Sequence, residues 1–271
     1  AVAFFTGCDL LDSVFCASNN HGEYLYLTPP NAIDPPYNTS DAIKEILAHE
    51  LSHMIHFNRK VLLNGAKSWS ESSYLIEGIG GFAQDVSGYQ AGNLYVTLAG
   101  LKGIDDFSLL DTLRDNTKYD TSRDGVLRGG SYLFVRYLYD RGGGDVADDK
   151  GAIISKGGPA FLRALLDASE ATAAAAPALA KTTIADIAID FYTTLAVSNR
   201  DEVGGVAPAN PCFAYLPVAA DPLTMRQRGA NVFVKFHGQQ MMGPTLQQAD
   251  AADGSLRAGG VEYLQLDATG S

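Results

Sequence analysis

The sequence predicts an α+β fold: a small sheet laid on one long helix, a mostly helical half, and a short β segment at the end. Three observations carry this. "GEYLYLT" alternates Tyr24 and Tyr26 against Leu25 and Leu27, the period of a half-buried strand. Ile43, Ile46, Leu47, Leu51, Met54 and Ile55 recur at helical spacing, and similar apolar patterns continue to about residue 199. After Asn199 the chain turns to short alternating runs, "NVFVKFHG" and "GGVEYLQLDATG". The expected division is one domain over 1–199, with the sheet and long helix in 1–58 and the helical half in 59–199. A linker and β-strand tail fill 200–271, open to being the start of a β domain.

Taken in order, "AVAFF" and "GEYLYLT" are strands, and the proline-rich "PPNAIDPPYNTS" ends any regular element after them. A helix begins near Asp41, with Ser40 or Thr39 as N-cap and Asp41 favourably placed in the first turn. Its broad apolar face predicts that it is mostly buried. A second helix runs from 70 to about 87 and contains Gly78, Gly80 and Gly81. Each glycine costs about 1 kcal/mol against alanine in a helix interior, so close approach of another helix is the expected reason. "GGSYLFVRYLYDRGGGD" is a third helix, stopped by its glycines. "GPAFLRALLDASE" is a fourth and "TIADIAIDFYTTLAVSN" a fifth. "ASEATAAAAPALA" between them reads as a loop, because Pro177 interrupts it.

Composition narrows the partners. The 271 residues are 46% hydrophobic and carry a formal charge of −11, which argues against nucleic acid and anionic membrane surfaces. No apolar run approaches the roughly 18–20 residues of a membrane span, and no signal peptide is visible. Of the three cysteines, Cys8 and Cys16 are close enough to bridge a small loop, and free buried thiols fit equally well; Cys212 is left over. "DVADDKG", at 145–151, reads as a solvated turn rather than a calcium loop.

The chemistry concentrates in "AHELSHMIHF". On a helix His49 and His53 share one face, about 6 Å apart along the axis, so both imidazoles can reach one metal ion. Glu50 lies about 100° round the helix, where a carboxylate can take a proton from a water beside that ion. This is the His-Glu-x-x-His pattern of zinc hydrolases. A polar patch turned unpaired into the core would be costly. His56 sits roughly 10 Å along the axis from His49, too far to share the ion, and is expected as a hydrogen-bonded neighbour. A catalytic zinc needs a third protein ligand, and Arg59 stands where a third histidine of the longer motif would be. The second helix offers Glu71 and Glu77. Glu71 suits a first turn in any case. Glu77 comes 24 residues after His53 and just before the glycines, and is the favoured ligand.

"AHELSHMIHFNRKVLLNG", then Trp69, then "LIEGIGGFAQDVSGY" resembles the hyicolysin family of zinc metallopeptidases, with "GGSYLFVRYLYDR" similar to the helix that follows the site there. The resemblance spans about 1–199 and is strongest at 48–65 and 75–89. It implies a zincin-like fold, with a small mixed sheet on the zinc helix and "GEYLYL" as the edge along which a peptide lies. It also implies zinc held by His49, His53 and Glu77, with Glu50 as general base. Two departures stand out: Ile76 precedes the glutamate, and Gly81 cannot supply a supporting carboxylate, leaving Asp85 as the nearest substitute. Tyr132 is the candidate oxyanion donor, with Tyr137 next. The expectation is a monomeric, secreted or cell-surface zinc endopeptidase acting on protein or peptide substrates, with its export signal outside this chain. A zincin-fold binding module or adhesin without turnover is the alternative. An aminopeptidase is a lesser option, since 1–48 lack the glycine-rich recognition motif.

Overall fold

A strand must find partners for its backbone groups. β1 (Ala3–Phe5) finds them in β2 (Leu25–Leu27), antiparallel, with Phe4 opposite Tyr26 and the two rings stacked 4.6 Å apart. A disulfide between Cys8 and Cys16 ties the loop that leaves β1. The computed structural model describes residues 2–35, 37–65, 71–89, 93–113, 123–198, 215–216, 219–230, 232–233, 235–236, 239–240, 243–248, 256 and 258–265. Trp69, Cys212, His237 and the expected linker lie outside the described residues.

The β pair packs on α1 (Ser40–Phe57), which Thr39 opens by accepting from the Ala42 amide at 3.2 Å. α1 is less enclosed than its pattern predicts: Leu51 and Ile55 each stay 46% exposed. It runs on into a π-helical stretch, Asn58–Leu63. α2 (Ser73–Val86) lies against α1 on one side and α5 (Asp124–Arg141) on the other, and α3 (Asn93–Lys102) packs along α5. α4 (Leu109–Leu113) is a short element beside them. Gly78 shows why glycine is needed in α2: a Cβ there would stand 2.6 Å from the Ser131 carbonyl carbon of α5. α5 begins earlier than its sequence pattern suggests, taking in Leu127 as a fully buried residue.

After α5 the chain forms the hairpin β3 (Asp145–Ala147) and β4 (Ile153–Ser155). Asp148 closes its turn by accepting from the Lys150 and Ala152 amides at 2.9 and 2.8 Å. α6 (Gly158–Asp167), α7 (Thr172–Ala180) and α8 (Ile184–Val197) complete the helices. α7 overturns the loop expected there. Its alanines have the highest helix propensity, Pro177 removes one backbone donor while keeping a helical φ, and Lys181 ends the helix in the left-handed conformation.

The tail forms short pairs: β5 (Ala219–Ala220) with β6 (Gln227–Arg228), β7 (Lys235–Phe236) with β8 (Gln239–Gln240), and β9 (Leu246–Gln248) parallel to β10 (Tyr263–Gln265). Its described parts pack into the helical body. Tyr215 and Val232 belong to the core, and the Tyr215 hydroxyl donates to the Leu133 carbonyl at 2.9 Å. A buried ion network anchors the same region. Arg136 of α5 binds Asp85 at 3.0 Å and Asp140 at 2.8 Å, and the Gly229 amide donates to Asp85 at 2.7 Å. The molecule is α+β, but the described strands form two-stranded pairs, so an antiparallel pair covers α1 in place of the expected mixed sheet.

Candidate metal centre and active site

α1 carries His49 and His53 one turn apart, and their rings meet edge to face, centroids 4.6 Å apart. α2 brings Glu77 beneath them. Its Oε2 stands 3.1 Å from His49 Nε2, and its Oε1 stands 3.9 Å from His53 Nε2. Close approach of the two helices makes this possible. A Cβ on Gly80 would sit 2.5 Å from His49 Nδ1, inside the imidazole's own space. His49 Nδ1 lies 3.4 Å from Gln84 Oε1, a long hydrogen bond. That bond belongs to the tautomer with the proton on Nδ1, because the amide oxygen only accepts.

The other tautomer donates from Nε2 to Glu77 Oε2 at 3.1 Å, so the proton a cation would displace is the one on Nε2. Burial first, and then the neighbouring His49, lower the His53 pKa to about 4, so His53 is neutral at pH 7. Its Nδ1 is buried and lacks a hydrogen-bond partner among the described residues. With the proton on Nδ1 of His49, the ring nitrogens Nε2 of His49 and His53 and the Glu77 carboxylate converge in an arrangement that suits a cation. Tetrahedral zinc ligands, each about 2.0–2.2 Å from the ion, stand roughly 3.3 Å from one another. The separations of 3.1 and 3.9 Å bracket that spacing. Donor atoms of His49, Glu50 and His53 also lie within 4.8 Å of one another, so that group could hold a metal ion too.

The two carboxylates differ in electrostatics. Burial drives the Glu50 pKa up, reinforced by the Glu77 charge and opposed by His49, the Phe5 backbone and Arg128. For Glu77 burial alone would raise it, but the His49 hydrogen bond and charge, then Arg128, bring it below the usual carboxylate range. Glu50 is thus the better proton acceptor, and Glu77 the one held ionised. Arg128 of α5 binds Glu77 Oε2 and also donates from Nε to Asp124 at 2.8 Å.

These groups line a cleft of about 540 Å³. Val2 and β1 form part of its wall, whereas no residue of β2, the strand expected to border a peptide, lines it. Arg128 and Gln84 also line the cleft; neither was singled out in the sequence. Gln84 could have been, since Glu77, Gly80, Gly81 and Gln84 fall on one helical face.

Other candidates lie elsewhere. Tyr132 is 1% exposed and its hydroxyl donates to Asp85 at 3.1 Å, so it is a core residue and does not reach the cleft. Tyr137 is likewise buried, its oxygen accepting from Arg141 at 2.6 Å. Asp85 is paired with the buried Arg136 two turns beyond Glu77, and Gln84 stands by His49 in its place. Glu71 is engaged with Thr172, whose hydroxyl and amide donate to it at 2.8 and 3.0 Å. His56 is fully buried behind the site. No family model, curated protein or solved structure matches the chain.

Proposed function

We propose that the chain is a zinc-dependent endopeptidase of zincin-like fold, related to the hyicolysin peptidases its motifs resemble. The observation that carries the reading is the convergence of His49 Nε2 and His53 Nε2 on the Glu77 carboxylate at 3.1 and 3.9 Å, with Glu50 beside them. His49, His53 and Glu77 would hold the ion. Zinc bound there supplies Lewis-acid polarisation of a scissile carbonyl and acidifies water.

The chain's own groups do the rest. Glu50, with its raised pKa, takes the proton of the attacking water and returns it to the leaving amine. Gln84 holds the His49 tautomer. Arg128 keeps Glu77 ionised and oriented. β1 offers its outer edge to an extended peptide along the cleft. The Cys8–Cys16 disulfide favours an oxidising, extracellular setting. No described helix is long and apolar enough to cross a membrane.

Glu50→Gln tests the reading. The variant should keep its zinc by metal analysis, while chelator-sensitive hydrolysis of casein falls by about 10²–10⁴-fold. Unchanged hydrolysis would remove Glu50 as the base. A zinc-loaded wild type that cleaves nothing would leave the binding-module reading.

A further inference from the structure

A second cavity, of about 340 Å³, opens beside the cleft. It shares Phe5, His53 and Glu77 with the cleft, so the two meet at the candidate metal ligands. Its remaining walls are Gly7, Phe57, Ile76 and the exposed Ser73. The Phe5 and Phe57 rings form one side, edge to face with centroids 6.0 Å apart. Apart from His53 and Glu77 nothing in it is ionisable, and Glu77 is already held by His49 and Arg128.

Resting on the peptidase reading above, we infer that this cavity receives an apolar side chain of the substrate, from a residue next to the bond cleaved. A peptide laid along β1 passes the metal ligands, and a side chain beside the reacting carbonyl has this cavity within reach. A leucine or phenylalanine would bury its surface against Phe5, Phe57 and Ile76. An aspartate would lose its water without gaining a partner and would face the Glu77 carboxylate. Ile76 is the residue that sets this preference. It precedes the ligand Glu77 and turns to the cavity, whereas Gly80 and Gln84 turn to His49.

The test measures binding, so it does not depend on turnover. Zinc-loaded Glu50→Gln protein is titrated, by fluorescence anisotropy, into labelled alanine heptapeptides whose central residue is leucine, phenylalanine, lysine or aspartate. The leucine and phenylalanine peptides should bind about tenfold or more tighter than the aspartate peptide. Adding Ile76→Arg should abolish that ranking. Adding Ile76→Ala, which enlarges the cavity, should favour phenylalanine over leucine. Zinc content and circular dichroism establish that each variant is folded. Equal affinities across the four peptides, or a ranking that survives Ile76→Arg, would overturn the inference. If wild type cleaves none of the peptides while the ranking holds, the hydrolase reading fails and the pocket stands.

Discussion

Gly80 and the His49 imidazole occupy space that a single methyl group would contest, since a Cβ at 80 would lie 2.5 Å from Nδ1. The alternative is not open to the ring: moving away from α2 would break its contacts with both Glu77 and Gln84. Gly80→Ala should therefore lower zinc affinity by about 10- to 100-fold, the range seen when ligand support is lost. It should not unfold α2, because alanine favours a helix interior over glycine by about 1 kcal/mol. Competition with a chromophoric chelator reads the affinity, and circular dichroism reads the helix. Wild-type affinity in this variant would mean that His49 is not fixed by α2. At this scale the candidate site was legible in part: the spacing of His49, Glu50 and His53 is a property of one helix, and the glycines after Glu77 pointed to the close approach of α2. Arg128 was not, since α5 reaches the site only through tertiary packing, and Tyr132, one turn further along that helix, is buried against Asp85.

The elements around the site are joined through their ends. Lys60, in the π-helical stretch after α1, donates to the Ala168 carbonyl at 2.9 Å, where α6 terminates. Glu71 accepts from the Thr172 amide and hydroxyl, where α7 begins. Each charge sits at the helix end its sign favours. Glu71→Ala would leave the buried Thr172 groups unpaired and should destabilise the protein by about 1–3 kcal/mol in urea denaturation. Its zinc content should be unchanged, whereas Glu77→Gln should lose zinc; the opposite pattern would exchange their roles. The long helices with a 3.6-residue apolar period, α1, α5 and α8, were readable in the sequence. α7 was misread because Pro177 outweighed its alanines. The ten-residue α3 and five-residue α4 passed unread, being short elements with little apolar period.

Across the whole molecule, α2 is the shared wall: Glu77, Gly80 and Gln84 face the site, while Asp85 faces the buried Arg136 and the tail amide of Gly229. That docking of the tail was illegible because its partners lie far apart in sequence, Asp85 and Gly229 being 144 residues apart. Site and core thus share one stability, and its pH dependence follows from His56. Burial first, then Lys60 and His53, lower the His56 pKa from 6.5 to about 3. The unfolded chain therefore binds a proton below pH 6.5 that the folded chain refuses. The His56 contribution is fully present above pH 6.5 and is lost as pH falls towards 3. Between pH 7 and pH 5 the loss from this group should be about 2 kcal/mol. His53 acts in the same direction, so the comparison that isolates His56 is wild type against His56→Gln, both with chelator present to remove metal linkage. Urea denaturation at the two pH values should show a smaller acid loss in the variant by that amount. Equal losses in both proteins would mean that His56 accepts its proton without unfolding, and that the space behind the proposed metal ligands admits charge.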